Sequence, residues 1–304
     1  MISVLSGGVG AARLLRALSA EIAPQDINAI VNVGDDLVLH GLTICPDLDT
    51  ITYTLAGLNN ETLGWGLNGE SWRVMDELET LGGASWFRLG DRDLATHLYR
   101  SQRLLEGATK TDVTRELCER HGVQVRVLPA TNDDVATIFE TERGRLSFQD
   151  YFVRLRHDVK VESISIQGAS TATVTKEVLD ALHESSRIII APSNPLISID
   201  PILQLGEIKD ILRERRRDVI AISPIIDGAA LKGPADRLMR ELGYEATCVG
   251  VADFYEGLIA TFVIDERDAA LAASISSNDV DVRVTTTIMQ DPLDAQRLAR
   301  AVLA

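Results

Sequence analysis

Apolar runs of strand type alternate with segments of helical period along most of this chain. The strand-like runs are ISVLS (2–6), NAIVNV (28–33), VQVRVLP (123–129), VESISIQ (161–167), RIIIAP (187–192), DVIAIS (218–223), TCVGV (247–251) and LIATFVI (258–264). Between several of them lie helical patterns, such as VTKEVLDALHES (174–185), ILQLGEIKDILRER (202–215) and PADRLMRELG (234–243). Continuous apolar strands separated by amphipathic helices predict a Rossmann-like, doubly wound, mostly parallel α/β sheet. Function in such a sheet is expected at the carboxyl ends of its strands.

One region breaks the alternation. Residues 64–122 hold no convincing strand but three helical stretches, at 67–82, 91–107 and 109–122. Thr109 suits the start of the third and Gly122 its end. The expected organisation is a core of residues 1–63 and 123–304, with a helical insertion at 64–122 covering the strand ends. Residues 135–160 read as a hairpin turning near Arg143–Gly144.

Composition narrows the class. The chain has 304 residues, 45% hydrophobic content and a net charge of −15. That supports a sizeable core and disfavours nucleic-acid binding, which needs clustered positive charge. The basic run Arg213–Arg217 ends a predicted helix, where it suits the helix dipole better than a polyanion. No apolar run approaches the roughly 20 residues of a membrane span. The start lacks the basic region and cleavage site of a signal peptide, so a cytoplasmic protein is expected. Cys45, Cys118 and Cys248 are too far apart in sequence for a zinc or iron–sulfur motif. Acidic neighbours of Cys45 should raise its pKa, which argues against a nucleophile.

The chemistry concentrates in Val31–Thr54. Asp35, Asp36, Asp47 and Asp49 fall within fifteen residues, directly after an apolar run. Four carboxylates on loops beside a buried sheet repel one another and must stay hydrated or find a cation. They fit either a divalent ion shared with a phosphate-bearing substrate or a pair of solvated acidic turns.

Four further segments stand out. Gly7, Gly8 and Gly10 lie in SGGVGAAR between a strand and a helix. There they suit a phosphate approaching the backbone, or simply a tight turn. The spacing departs from both GxGxxG and the P-loop, and no P-loop lysine is present. WFRLGDRDLATH (86–97) puts Arg88, Asp91, Asp93 and His97 at a helix entry. The aspartates suit ligand or cap there, and His97 suits ligand binding or structure. Ser193 and Asn194, in APSNPLIS after a strand, form a nucleotide or phosphate cradle. Lys232, beyond SPIIDG, either neutralises a phosphate or is solvated. No G-x-S-x-G or H-E-x-x-H motif occurs, so direct transfer to a bound acceptor fits better than a covalent enzyme intermediate.

Taken together, LSGGVGAARLL, VNVGDD…HGLTICPDLDTITYTLAG, WFRLGDRDLATHLYRSQ, LPATND, SFQDYFV, APSNPLISIDPIL and SPIIDGAALKGPAD closely resemble the 2-phospho-L-lactate transferase family of coenzyme F-420 biosynthesis. The actinobacterial-type branch is the nearer likeness. Ala11 and Asp227 depart from the family pattern, where glycine or a small residue is expected. The resemblance implies a guanosine diphosphate-linked donor carrying lactate, enolpyruvate or a related acid. It implies the deazaflavin FO as acceptor, release of GMP, and Mg2+. It places the metal on Asp35 and Asp47, and catalytic roles on Asp49 and Asp36. Deazaflavin contacts fall on Asp49 and Arg88, and donor contacts on Gly7, Gly8, Gly10, Ser193, Asn194 and Lys232. A homodimer is expected. The alternative is a nucleotide-sugar-binding regulator of the same superfamily, without transferase activity. A generic nucleotide-binding oxidoreductase is disfavoured by the missing GxGxxG.

Overall fold

The computed structural model describes residues 1–276 and 280–304. Seven parallel strands form the central sheet: β1 (Ile2–Ser6), β2 (Ile27–Val31), β3 (Arg126–Pro129), β4 (Arg187–Ile190), β5 (Val219–Ile222), β6 (Thr261–Ile264) and β7 (Asp281–Val284). Their order is 3-2-1-4-5-6-7. β1 lies between β2 and β4, with Leu5 opposite Ile30 on one side and Ile190 on the other. This is the doubly wound arrangement expected from the alternation. Its order reverses beside β1, where a crevice opens at the strand ends. β1, β2 and β5 are buried at every position, because helices cover both faces.

Helix α1 (Val9–Glu21) follows β1 and buries Ala11, Ala12, Leu14, Leu15, Ala17 and Leu18. It packs between α2 (Pro46–Leu55) and the C-terminal helix Pro292–Leu303. Residues 64–122 contain α3 (Arg73–Thr80), α4 (Asp91–Leu105) and α5 (Lys110–Arg120), and no strand of the sheet. The Thr109 side chain accepts from Asp112 N while Asp112 reaches back to Thr109 N, so α5 begins with a complete capping box. A second, antiparallel sheet of three strands holds the expected hairpin, Ala136–Thr141 paired with Gly144–Ser147.

Three strand readings needed correction. VESISIQ belongs to the antiparallel sheet as Val161–Gln167, and its half-exposed pattern fits that open surface better than a doubly covered one. TCVGV is helical: Thr247 accepts from Gly250 N and caps the helix Cys248–Phe254. β7 went unpredicted, because DVRV is an edge strand without a fully buried position. The basic run acts as expected only in part, with Arg213 in the last turn of its own helix, Ile208–Glu214. Arg215 donates to the carbonyls of Leu182, His183 and Ser185, closing the end of the helix Lys176–Glu184 rather than its own.

Candidate active site

A cavity of about 810 Å³ opens over the carboxyl ends of β1, β4 and β5. Its floor begins at the glycine turn. A β-carbon on Gly7 would stand 2.6 Å from Ser198 Cβ, one on Gly8 2.6 Å from Asp47 Oδ1, and one on Gly10 2.7 Å from the Pro192 carbonyl oxygen. The β4 loop presses against bare backbone at Gly7 and Gly10, where only glycine permits it, and the Asp47 carboxylate rests against Gly8. Among the described residues no side chain caps α1. Its first-turn N–H groups therefore suit an anion from the cavity.

The acidic stretch folds into two turns that meet at this point. Asp35 ends the loop after β2, and Pro46 at the first position of α2 brings Asp47 and Asp49 into that helix's first turn. Asn32 joins the two segments. Its Nδ2 donates to Asp47 Oδ2 at 3.0 Å and lies 3.4 Å from Asp35 Oδ1, while its Oδ1 accepts from Gly34 N at 2.8 Å.

The four aspartates then divide by partner. Lys110 Nζ donates to Asp36 Oδ2 at 2.6 Å. Arg100 binds both oxygens of Asp49, Nη1 to Oδ2 at 3.1 Å and Nη2 to Oδ1. Asp35 and Asp47 have no cationic side chain within ion-pair distance among the described residues. Burial, then the charges of Asp47 and Asp36, hold the Asp35 carboxyl well above its usual range. Burial pushes Asp47 up to about 7 against the opposing bond from Asn32.

Beside them, α4 supplies Asp93, His97 and Arg100, all buried. Tyr53 Oη donates to Asp93 Oδ1 at 2.7 Å. His97 Nδ1 lies 3.2 Å from Arg100 Nη1 and 3.7 Å from Asp49 Oδ2. Its Nε2 stands 3.3 Å from Asp93 Oδ2 without hydrogen-bond geometry. Burial works against the Asp93 carboxylate, but the facing His97 ring and the Tyr53 hydroxyl outweigh it and lower the pKa. Asp49, Asp93 and His97 converge closely enough to hold a metal ion. Arg100, however, already brings positive charge to that cluster.

The other expected residues are distributed as follows. Gly8, Gly10, Asp35, Asp47, Asp49, Arg88, Ser193, Asn194 and Lys232 all line the cavity. Gly7 lies just behind, its N–H donating to Ser193 Oγ at 3.3 Å. Asn194 Oδ1 accepts from Leu196 N, which leaves its amide nitrogen as the donor. Arg88 is held by Asp76 at 2.9 Å and Glu79 at 4.0 Å and lies over the Trp72 ring, so it and Asp49 do not pair with each other. Asp36 is turned toward Lys110 and is not brought to the cavity. Cys45 is buried, and burial with the Asp36 charge pushes its thiol well up, as its acidic neighbours suggested.

Sequence reading missed Asn32, Arg100 and Lys110. Asn32 stands directly before the GDD turn and carried a local signal. Arg100 lies 51 positions from Asp49 and Lys110 lies 74 from Asp36, and nothing in the sequence pairs them.

The sequence profile described as 2-phospho-L-lactate transferase CofD matches residues 2–298. The chain belongs to the CofD family. Among CofD-type relatives, a phosphoenolpyruvate transferase of Kitasatospora aureofaciens is 41% identical, covering 100% of this chain and 97% of that protein. A 2-phospho-L-lactate transferase of Methanospirillum hungatei is 38% identical, covering 100% and 99%. A crystal structure of a UPF0052-family protein from Bacillus halodurans superposes with a TM-score of 0.62 at 16% identity, covering 100% of this chain and 98% of that one; it shares the fold. Within the CofD frame, no helix among the described residues is long and apolar enough to cross a membrane.

Two expected outcomes follow from this arrangement of charges. Lys110→Met strands a buried carboxylate and should cost about 3–5 kcal/mol in urea denaturation, with Asp36→Asn in the same chain recovering most of it. The second concerns pH. Asp47 titrates near 3.8 when unfolded and at about 7 in the metal-free fold, so the folded state binds more protons between those values. Stability should therefore fall as pH rises across that window. Thermal melts without divalent ions should show this slope, and it should flatten in Asp47→Asn.

Proposed function

We propose that this transferase moves a phosphorylated three-carbon acid from a guanosine diphosphate-linked donor to the terminal ribityl hydroxyl of the deazaflavin FO, releasing GMP and forming the coenzyme F-420 core. One observation carries the reading. Asp35 and Asp47, both without a cationic side chain within ion-pair distance among the described residues, lie beside the N-terminus of α1, which suits an anion. Carboxylates and a phosphate in contact repel each other unless a cation lies between them. Two hard oxygen donors with raised pKa values fit magnesium, which releases their protons on binding. Bound there, magnesium would neutralise charge on the diphosphate.

The chain's own groups supply the rest. The turn at Gly7–Gly10 presents backbone N–H groups to the phosphates, with Ser193 and Asn194 beside it, and Lys232 lines the same cavity with its ammonium beside Gly64. Trp65, Trp86 and Phe87 line the other side, which suits a flat ring. Asp49 lines the cavity with both carboxylate oxygens bound to Arg100, which fixes its orientation. Its role is to accept a bond from a ribityl hydroxyl and aim it at the phosphorus. Asp36 is left with a positioning role, fixing the Asp35 turn through Lys110. The loop residues 64–66 and 86–89 with the start of α4 form the acceptor wall, which is the role proposed for residues 64–122.

The likeness to both a phosphoenolpyruvate and a 2-phospho-L-lactate transferase supports a three-carbon acid on the donor. Mass spectrometry of FO incubated with each donor and Mg2+ should show the phospho-acid adduct with at least one. Binding of GDP with no adduct from any donor would instead favour the regulator reading. Asp47→Asn, close in volume and freed of a buried charge, should remain folded yet transfer at least about a hundredfold more slowly. Arg88→Ala should raise the KM for FO more than that for the donor; the reverse order would move the acceptor elsewhere.

A further inference from the structure

The cationic side chains that line the cavity among the described residues are Arg13, Arg88 and Lys232. Arg88 is held by two acids, and Lys232 lies exposed on a loop. Arg13 differs from both. It is half-buried on α1, and it has no carboxylate within ion-pair distance among the described residues. Its Nη1 donates to the Met289 carbonyl oxygen at 3.1 Å. A guanidinium has five N–H donors, so this bond aims the group and leaves most of its donors for a ligand.

The backbone that aims it is itself fixed. Buried Asp265 accepts from Thr287 N at 2.8 Å and from Thr287 Oγ1 at 3.1 Å. Thr285 N donates to the Ile264 carbonyl, continuing from β7. Thr287, Ile288, Met289 and Gln290 also line the cavity. Helical side chains lean toward the N-terminus, so Arg13 extends back along the first turn of α1. Met289 precedes the C-terminal helix on one flank of α1, whereas Asp47, beside Gly8, belongs to α2 on the other. The glycine turn therefore has the Asp35 and Asp47 carboxylates on one side and, on the other, a guanidinium with no carboxylate within ion-pair distance among the described residues.

We propose that Arg13 binds the phosphate of the GMP portion of the donor and stabilises it as the leaving group, with the segment Thr287–Gln290 as the wall beside the nucleoside. The inference rests on the proposed transfer and adds the residue that acts on its departing half. The phosphorus that reacts must face the acceptor wall, which stands on the carboxylate side with Asp49 and His97. The other phosphate of the diester then falls toward Arg13. In the transfer, a bond forms between the acceptor oxygen and the β-phosphorus, and the bond from that phosphorus to the bridging oxygen breaks. The electron pair leaves with the bridging oxygen, adding one negative charge to GMP, and the hydroxyl proton passes to solvent. Charge thus grows where Arg13 presents its N–H groups, which is where a preorganised donor contributes most.

Calorimetry with guanosine, GMP and GDP on wild type, Arg13→Ala and Arg13→Lys, alongside transfer kinetics, tests this. Arg13→Ala should bind GMP and GDP about 10- to 100-fold more weakly and lower kcat, with guanosine affinity unchanged within twofold. Arg13→Lys should fall between. Loss of guanosine binding equal to that of GMP would mean that Arg13 only braces the Met289 segment or reads the nucleoside, and overturns the proposal. Unchanged GMP affinity and kcat in Arg13→Ala would also overturn it while leaving the transferase reading intact. Wild type that binds no guanosine nucleotide would sink the transferase reading instead. Should Arg13→Ala fail to fold, the same comparison of GMP with guanosine in Arg13→Lys decides.

Discussion

Two carboxylates that share a neighbour but have no cationic side chain within ion-pair distance among the described residues, Asp35 and Asp47, are the constraint around which the cavity end of this protein is built. Asn32 ties them together, and Asp47 sits against the backbone of Gly8. Their neighbours Asp36 and Asp49 each have a buried cation, so the lack is specific to the pair. Burial and the neighbouring carboxylate charges hold both groups above their usual range. Their burial is a reasonable cost where the carboxylates receive a cation together with an anionic substrate.

The sheet makes that meeting possible. With β1 between β2 and β4, the turns that follow β1, β2 and β4 open onto one crevice. The glycine turn, the Asp35 loop and the Ser193–Asn194 loop come from three distant parts of the chain. They converge because parallel strands present all their carboxyl ends on one edge. Pro192 and Ser198 approach so closely that Gly7 and Gly10 cannot carry side chains. The absence of a β-carbon at these positions is therefore a packing requirement.

On the other side, Tyr53, Asp93, His97, Arg100 and Asp49 form a buried polar network beneath the aromatic wall. Arg100 is its centre: it satisfies Asp49 through both oxygens and meets the His97 ring. A network of this kind holds its members in one geometry, because any displaced group would be left buried and unpaired. It holds the Asp49 carboxylate in one orientation. The same reasoning separates Arg88 from Asp49, since each already has its own partner.

The sequence alone determined the class of fold, because uninterrupted apolar strands such as RIII and VIAI are stable only when both faces are covered. It also marked the turn glycines, the acidic stretch and the Ser193–Asn194 loop, because these depend on local chain geometry and lie beside strand ends. Where a segment's state depends on a cap or on a sheet edge, the pattern misled: TCVGV became a helix behind Thr247, and DVRV became an edge strand. Only the tertiary structure decided which aspartates are neutralised. That choice depends on Lys110 and Arg100, which reach their partners from other helices, and charge pairing acts through space rather than along the chain. The place of Arg13 was decided the same way, by a carbonyl at Met289 that no local pattern connects to it.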